Sequence, residues 1–242
     1  MSLKRLLKKT FVYKVYIYWR IKKQLKRRKE QSMLLHQDGA KILNCFAQAL
    51  NKREIPFWLD YGTLLGYRRE NDFIGHDNDL DIGAFIEDVT KINDALTQAG
   101  FKLVRYYNTL DNEFIEHSYT FSDTQMTIDV FFYKYNNGTV LGTCFAPMDN
   151  NLNVAKHLFQ QIPFKTILVK TPFVGLTRTT FKNSDVYVPS NIDEYLMANY
   201  GETFMIPNPN FTISSAPNIK VLSYEEKPAI GYIEIPYLFY IV

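Results

Sequence analysis

His76-Asp77-Asn78-Asp79-Leu80-Asp81-Ile82-Gly83 sets two carboxylates, Asp79 and Asp81, two residues apart among apolar neighbours. The period-2 pattern from Asp79 to Phe85 predicts a strand, so both carboxylates leave it on the same face. Asp disfavours strands, and two like charges this close repel unless a cation lies between them. The stretch therefore reads as a buried strand with a metal-binding edge. The alternatives are a solvated acidic loop or a calcium loop; the calcium pattern needs a later Gly and Glu that are absent here.

Two further motifs flank it. Upstream, Tyr61-Gly62-Thr63-Leu64-Leu65-Gly66 follows the apolar run Ile55–Asp60. Gly62 lets backbone approach a ligand, and a helix starting near Thr63 would aim free N–H groups and the Thr63 hydroxyl at a phosphate. A Gly-Thr pair before a helix is also a common cap, so this motif alone is weak. Downstream, Ile128-Asp129-Val130-Phe131-Phe132 buries one acid in an apolar strand. Such an acid is paired, protonated, metal-bound or held by backbone donors. A Gly-Thr turn, a D-x-D strand and a lone Asp on a later strand together form a nucleotidyltransferase-type arrangement. In it Asp79 and Asp81 hold Mg²⁺ (or Mn²⁺) against donor phosphates. Asp129 completes the metal site or accepts a proton.

The rest of the chain reads outward from these motifs. A helix is expected over 33–50, with Leu35, Ile42, Leu43, Phe46 and Leu50 on one face and Pro56 ending the region. A short helix is expected over Gly62–Arg69, then a polar loop to Asn78. Glu87–Ala99 is a helix with Gly100 as its stop. Strands follow at Phe101–Tyr107, Phe114–Phe121 and Met126–Tyr135. Asn136-Asn137-Gly138 turns a hairpin into Thr139–Phe145. Phe164–Val169 is a strand, Asn191–Asn199 a helix stopped by Gly201, and 219–242 is strand-like. The fold class is mixed α/β (α+β): a mixed sheet flanked by helices, with a basic N-terminal helix.

Charge divides the chain. Residues 1–30 hold 12 Lys/Arg against Glu30 alone, a charge of +11, and the remaining residues carry −8. The organisation expected is a basic amphipathic helix over 1–30 and a catalytic domain over 31–242. The acidic body argues against nucleic acid as a partner. Leu3, Leu7, Phe11, Val15, Tyr18 and Leu25 form an apolar face on the basic helix. That face and its charge suit an anionic membrane surface contacted through residues 2–30, with the protein cytoplasmic and peripheral. No apolar run reaches membrane-spanning length, and the basic residues Lys22, Lys23 and 26–29 follow Phe11–Trp19 where a signal peptide would have small residues. Cys45 and Cys144 imply no disulfide framework, and His36, His76, His117 and His157 show no zinc spacing.

Phe57-Trp58-Leu59-Asp60-Tyr61-Gly62-Thr63-Leu64-Leu65-Gly66, then Arg69, then Asp77-Asn78-Asp79-Leu80-Asp81-Ile82-Gly83, resembles the LicD/fukutin family. So do Ile128-Asp129-Val130-Phe131 and the later Val188-Pro189, Tyr195-Leu196, Tyr200-Gly201 and Pro207. The similarity covers about residues 55–210. It implies transfer of a phosphorylated group, such as ribitol 5-phosphate or phosphocholine, from a CDP-linked donor to a hydroxyl of a glycan or lipid-linked saccharide. CMP is released. By position it implies Asp79, Asp81 and Asp129 as the carboxylates, Gly62 and Thr63 as the phosphate-facing turn, Arg69 as a charge-neutralising group, and Asp77 beside the ligand set. Gly75 and His76 depart from the family's usual Pro and aromatic. Two rivals stand beside this reading: a nucleotidyltransferase releasing pyrophosphate, and a non-catalytic glycan- or nucleotide-binding module. Arg68, Lys170 and Arg178 are weaker phosphate candidates. Trp58 reads as core, Tyr106 and Tyr107 as strand or glycan-facing residues, and His157 as a remote candidate base.

Overall fold

The computed structural model describes residues 11–121, 124, 126–148, 158, 162–208 and 211–233, with side chains from Lys29 onward. Helix α1 (Phe11–Asn51) leads, then β1 (Phe57–Leu59), α2 (Tyr61–Glu70), β2 (Asp79–Phe85) and α3 (Val89–Gln98). Strands β3 (Phe101–Thr109), β4 (Ile115–Phe121), β5 (Thr127–Asn136), β6 (Thr139–Pro147) and β7 (Phe164–Pro172) follow. The chain continues through β8 (Leu176–Phe181), β9 (Ser184–Pro189), α4 (Ile192–Tyr200), β10 (Ile219–Leu222) and β11 (Ala229–Ile233). The fold is mixed α+β.

One sheet runs β1-β2-β5-β4-β3-β11-β7-β10, and β6 pairs with both β5 and β7. The pairings from β5 through β4, β3, β11, β7 and β6 thus return to β5. Only β2 and β5 are parallel among these, in register from Asp79↔Thr127 to Phe85↔Tyr133. That register sets Asp81 beside Asp129. Leu80, Ile82 and Ala84 alternate with the carboxylates and are buried, as are Ile128, Val130 and Phe132 on β5. α1 lies against β2 and α3. Its expected face, Leu35, Ile42, Leu43, Phe46 and Leu50, is buried. Among the described residues α1 runs uninterrupted from Phe11 to Asn51, through the expected boundary at 30; residues 1–10 of the expected basic helix, and the side chains of its apolar face from Leu3 to Leu25, lie outside the described residues. Nothing at that boundary, neither Gly nor Pro, breaks a helical backbone.

Trp58 is fully buried. A Cβ on its cross-strand partner Gly83 would lie 2.1 Å from the indole, so glycine here makes room for tryptophan. The hairpin between β5 and β6 has Asn137 and Gly138 both at positive φ, as a type I′ turn requires. The hairpin β8–β9 was not expected. Lys182 and Asn183 supply the same two positive φ values without a glycine to mark them.

Candidate active site

The site is a row of side chains across four strands. Asp81 pairs with Asp129, Asp129 with Ser118 on β4, and Ser118 with Arg105 on β3. Paired residues share a sheet face, so one face carries Asp81, Asp129, Ser118 and Arg105 in line. Arg105 closes the row. Its Nη2 donates to Asp129 Oδ2 at 2.7 Å and its Nε to Ser118 Oγ at 3.0 Å. Asp129 is 7% exposed, and its Oδ1 is buried without a hydrogen-bond partner.

The turn before α2 holds Asp81 from the other side. The helix begins at Tyr61, one residue before the expected Gly62, because Asp60 caps it. Asp60 Oδ1 accepts the Tyr61 N–H at 2.8 Å and the Tyr195 hydroxyl at 3.0 Å; Oδ2 accepts the Tyr133 hydroxyl at 2.7 Å. The Asp60 N–H also reaches the Asp81 carbonyl at 3.0 Å. Tyr61 has φ +32°, a strained value held by this cap and by edge contact with Phe131 at 4.8 Å.

The expected phosphate turn is used differently. The Gly62 N–H donates to Asp81 Oδ2 at 2.9 Å, and Thr63 Oγ1 accepts the Asp81 N–H at 2.8 Å. In this arrangement both residues therefore orient a carboxylate. Close approach still requires glycine, since a Cβ on Gly62 would meet Asp77 Oδ2 at 2.5 Å and Asp81 Oδ2 at 3.1 Å. Arg69 also differs from expectation. Its Nε donates to the Phe204 carbonyl at 2.6 Å and its Nη2 to the Phe204 and Ile206 carbonyls, which braces the segment after α4. Nη1 has no partner among the described residues. Of the weaker candidates, Arg68 pairs with Asp193 and Arg178 with Asp185, both exposed, and Lys170 is exposed. Tyr106 stacks on Tyr232. His157 lies outside the described residues.

Crowding of acids sets the electrostatics. Burial, then Asp129 and Asp77, push Asp79 up to about 7. Burial and then Asp79, Asp129 and Asp77 hold Asp81 well above the usual carboxylate range. Burial raises Asp77 as well. Glu116, two residues before Ser118 on β4, is pushed up to about 8 by burial and by Asp129. Burial raises Asp60 to about 6 against three hydrogen bonds that lower it. Asp60, Arg105, Ser118 and Glu116 had no role in the sequence reading. Only Asp60 stood in a quoted motif.

The donor set is all oxygen and half-buried, and it includes the orphaned Asp129 Oδ1; these features suit a hard cation. Among the described residues no three His, Cys, Asp or Glu side chains gather tightly enough to cage an ion. Arg105 takes one oxygen of Asp129, the third carboxylate of the expected set, and leaves Oδ1. Magnesium is commonly held by one or two carboxylates, with water and phosphate oxygens completing its shell, and Asp79 and Asp81 fit that mode.

A profile described as LicD/FKTN/FKRP, nucleotidyltransferase domain, matches residues 54–191. The chain belongs to the LicD/FKTN/FKRP family. The matched span runs from before β1 to just past β9, so the whole carboxylate row is LicD/FKTN/FKRP domain. Ribitol-5-phosphate transferase FKTN of Macaca fascicularis and that of Homo sapiens are each 31% identical over 116 residues, covering 45% of this chain and 25% of the relative. The Mus musculus protein of the same name is 29% identical over 115 residues. The match thus spans about a quarter of those relatives' length.

The raised carboxyls make a pH prediction for this LicD/FKTN/FKRP domain. From about pH 4 upward the folded chain holds protons that the unfolded chain has released, on Asp60 up to about pH 6, on Asp79 up to about pH 7 and on Glu116 up to about pH 8. Stability therefore falls as pH rises through that window, by about 1.4 kcal/mol per pH unit for each retained proton. The melting temperature without divalent ions should be lower at pH 8 than at pH 6, and Mg²⁺ should restore more of it at pH 8. A melting temperature that rises from pH 6 to pH 8 without metal contradicts the assignment.

Proposed function

We propose that this domain transfers a phospho-alditol or phosphocholine group from a CDP-linked donor to a hydroxyl of a cell-surface glycan, releasing CMP. The observation that carries the reading is the register of β2 against β5, which sets Asp81 beside Asp129 with Asp79 one step away on the same face. The family match supports the same reading, and the curated relatives are named as ribitol-5-phosphate transferases.

Asp79 and Asp81 would hold a Mg²⁺ or Mn²⁺ ion, which offsets phosphate charge in the transition state. Gly62 N–H and Thr63 fix Asp81, and Asp77 lies beside them rather than in the ligand set. Asp129, steadied by Arg105, presents Oδ1 to accept the proton of the attacking hydroxyl. Arg69 has Nη1 left for donor phosphate. Attack in line with the leaving CMP then depends on positioning and charge more than on covalent help from the protein. The test is incubation with CDP-ribitol, CDP-glycerol and CDP-choline plus Mg²⁺, candidate glycan acceptors being supplied. CMP is expected and should disappear on chelation. Pyrophosphate would favour a nucleotidyltransferase, and neither product a binding module.

The basic charge of residues 1–30 supports, in our reading, a location for this activity at the inner face of an anionic membrane, where lipid-linked saccharides are assembled. Among the described residues no helix is long and apolar enough to cross a membrane. The reading rests on the +11 charge of residues 1–30 and the apolar face from Leu3 to Leu25. Each Lys or Arg near such a surface adds about 1 kcal/mol. The full chain should sediment with anionic vesicles, whereas a chain lacking residues 1–30 should not. Both forms remaining in solution at low salt would remove the membrane from the account.

A further inference from the structure

Beside the carboxylate row, three oxygen-bearing groups face one place without partners. Glu116 is 7% exposed, and its carboxylate makes no hydrogen bond or ion pair among the described residues. Tyr107, 5% exposed, has a hydroxyl likewise without a partner among them. Asp129 Oδ1 is the third. Tyr107 pairs with Glu116 across β3 and β4, and Glu116 with Phe131 on β5, so all three lie on the face that carries Arg105. The Arg105 guanidinium stands 5.6 Å from the Tyr107 ring centroid. The Tyr107 ring itself is core: Phe145 on β6 stacks on it at 5.5 Å and Phe164 meets it edge-on at 5.0 Å, so the hydroxyl is the part of Tyr107 left to a ligand.

Buried polar groups are normally hydrogen-bonded. Of the three, Asp129 Oδ1 is sealed without a partner, while the Glu116 carboxyl and the Tyr107 hydroxyl, on largely buried side chains, are engaged by no other side chain among the described residues. Neither Glu116 nor Tyr107 is needed to orient Asp81 or Asp129, for Gly62, Thr63 and Arg105 do that. The chemistry also selects the ligand. The Asp129 carboxylate and the Glu116 carboxyl offer no positive charge to a phosphate but exchange hydrogen bonds with hydroxyls, and a phenol can donate or accept.

We propose that Glu116, Tyr107 and Asp129 Oδ1 form a subsite for a polyhydroxyl ligand. Resting on the function proposed above, the occupant is the hydroxyl-bearing acceptor, held next to the carboxylates that would receive the donor phosphates. The ribose of the donor nucleotide offers the same vicinal hydroxyls and is the other source of this chemistry.

The test is saturation-transfer NMR on the full chain with ribitol and a panel of methyl hexosides and methyl N-acetylhexosaminides, beside calorimetry with CDP-ribitol and Mg²⁺. At least one polyol or glycoside should receive saturation from the wild-type protein. Glu116→Leu, which removes both acceptor oxygens at similar volume, and Tyr107→Phe should each weaken that binding by about tenfold, and Glu116→Gln by less. CDP-ribitol should bind these variants as it binds the wild type. Melting curves confirm that each variant is folded; the near-isosteric Tyr107→Phe remains decisive should Glu116→Leu unfold. The proposal is overturned if no probe binds the wild type, or if Tyr107→Phe and the folded Glu116 variants bind the probes unchanged. It is also overturned if the variants lose CDP-ribitol instead, which assigns the subsite to the donor ribose. Glycoside binding that responds to the variants, with no CDP-ribitol binding to the wild type, leaves the subsite standing and removes the CDP-donor function.

Discussion

Asp81→Asn should lower CMP release by about three orders of magnitude while leaving the domain folded, and Asp79→Asn should do nearly the same. Asparagine keeps an oxygen for the Gly62 N–H that now reaches Asp81 Oδ2 at 2.9 Å, so the turn before α2 should survive. What is lost is negative charge where a cation and donor phosphates would meet. Asp81 is crowded by burial and by Asp79, Asp129 and Asp77. Removing one charge from that group relieves repulsion, so the metal-free variant should melt higher than the wild type above pH 7. Lower turnover with higher stability distinguishes a functional carboxylate from a structural one. The measurements are CMP release under saturating donor and thermal melting at pH 8. Near-native turnover in either variant removes the pair from the mechanism.

Asp60→Ala should have the largest effect on the fold. Asp60 is fully buried and caps α2 while receiving two phenolic hydroxyls. Alanine removes a helix cap worth about 1 kcal/mol and leaves the Tyr133 hydroxyl buried without its partner. It also frees Tyr61 from one of the contacts holding its positive φ. The combined loss should be about 3 kcal/mol in chemical denaturation, and Asp81 should lose its fixed position with the turn. The pH dependence carries a sign. Burial raises Asp60 to about 6, so wild-type stability attributable to this group falls between about pH 4 and pH 6. The gap between wild type and Asp60→Ala should therefore narrow as pH rises through that window. A gap that widens, or a loss below about 1 kcal/mol, would show that the cap is not carried by Asp60.

How much of this was legible in the sequence depends on what kind of signal each feature leaves. The D-x-D strand appeared at its observed bounds because two charges in an apolar alternation have few structural explanations. Asn137-Gly138 announced its hairpin, whereas Lys182-Asn183 did not, since lysine gives no sign of a positive φ. The face of α1 from Leu35 to Leu50 followed from helical spacing. Arg105 and Glu116 were not legible. Each sits in a strand where local sequence is uninformative about its partner, and only the register of β3, β4 and β5 brings them to the carboxylates. Gly62 and Thr63 belonged to the right turn, but their expected role was phosphate contact. A backbone N–H near a helix start goes to whichever acceptor is closest, and here the fold supplies Asp81. Arg69 was expected at phosphate from the family resemblance, yet the segment after α4 offers carbonyls at Phe204 and Ile206 that no local pattern announces.

The central claim is that a divalent ion and a CDP-linked diphosphate meet at the carboxylate row of β2 and β5. The most direct measurement is anomalous diffraction from crystals holding Mn²⁺ and CDP-ribitol. The account predicts a manganese peak bonded to Asp79 and Asp81, with diphosphate oxygens completing its coordination and the transferred group directed toward Asp129. Manganese bound elsewhere, or a diphosphate seated away from Asp79 and Asp81, would contradict it.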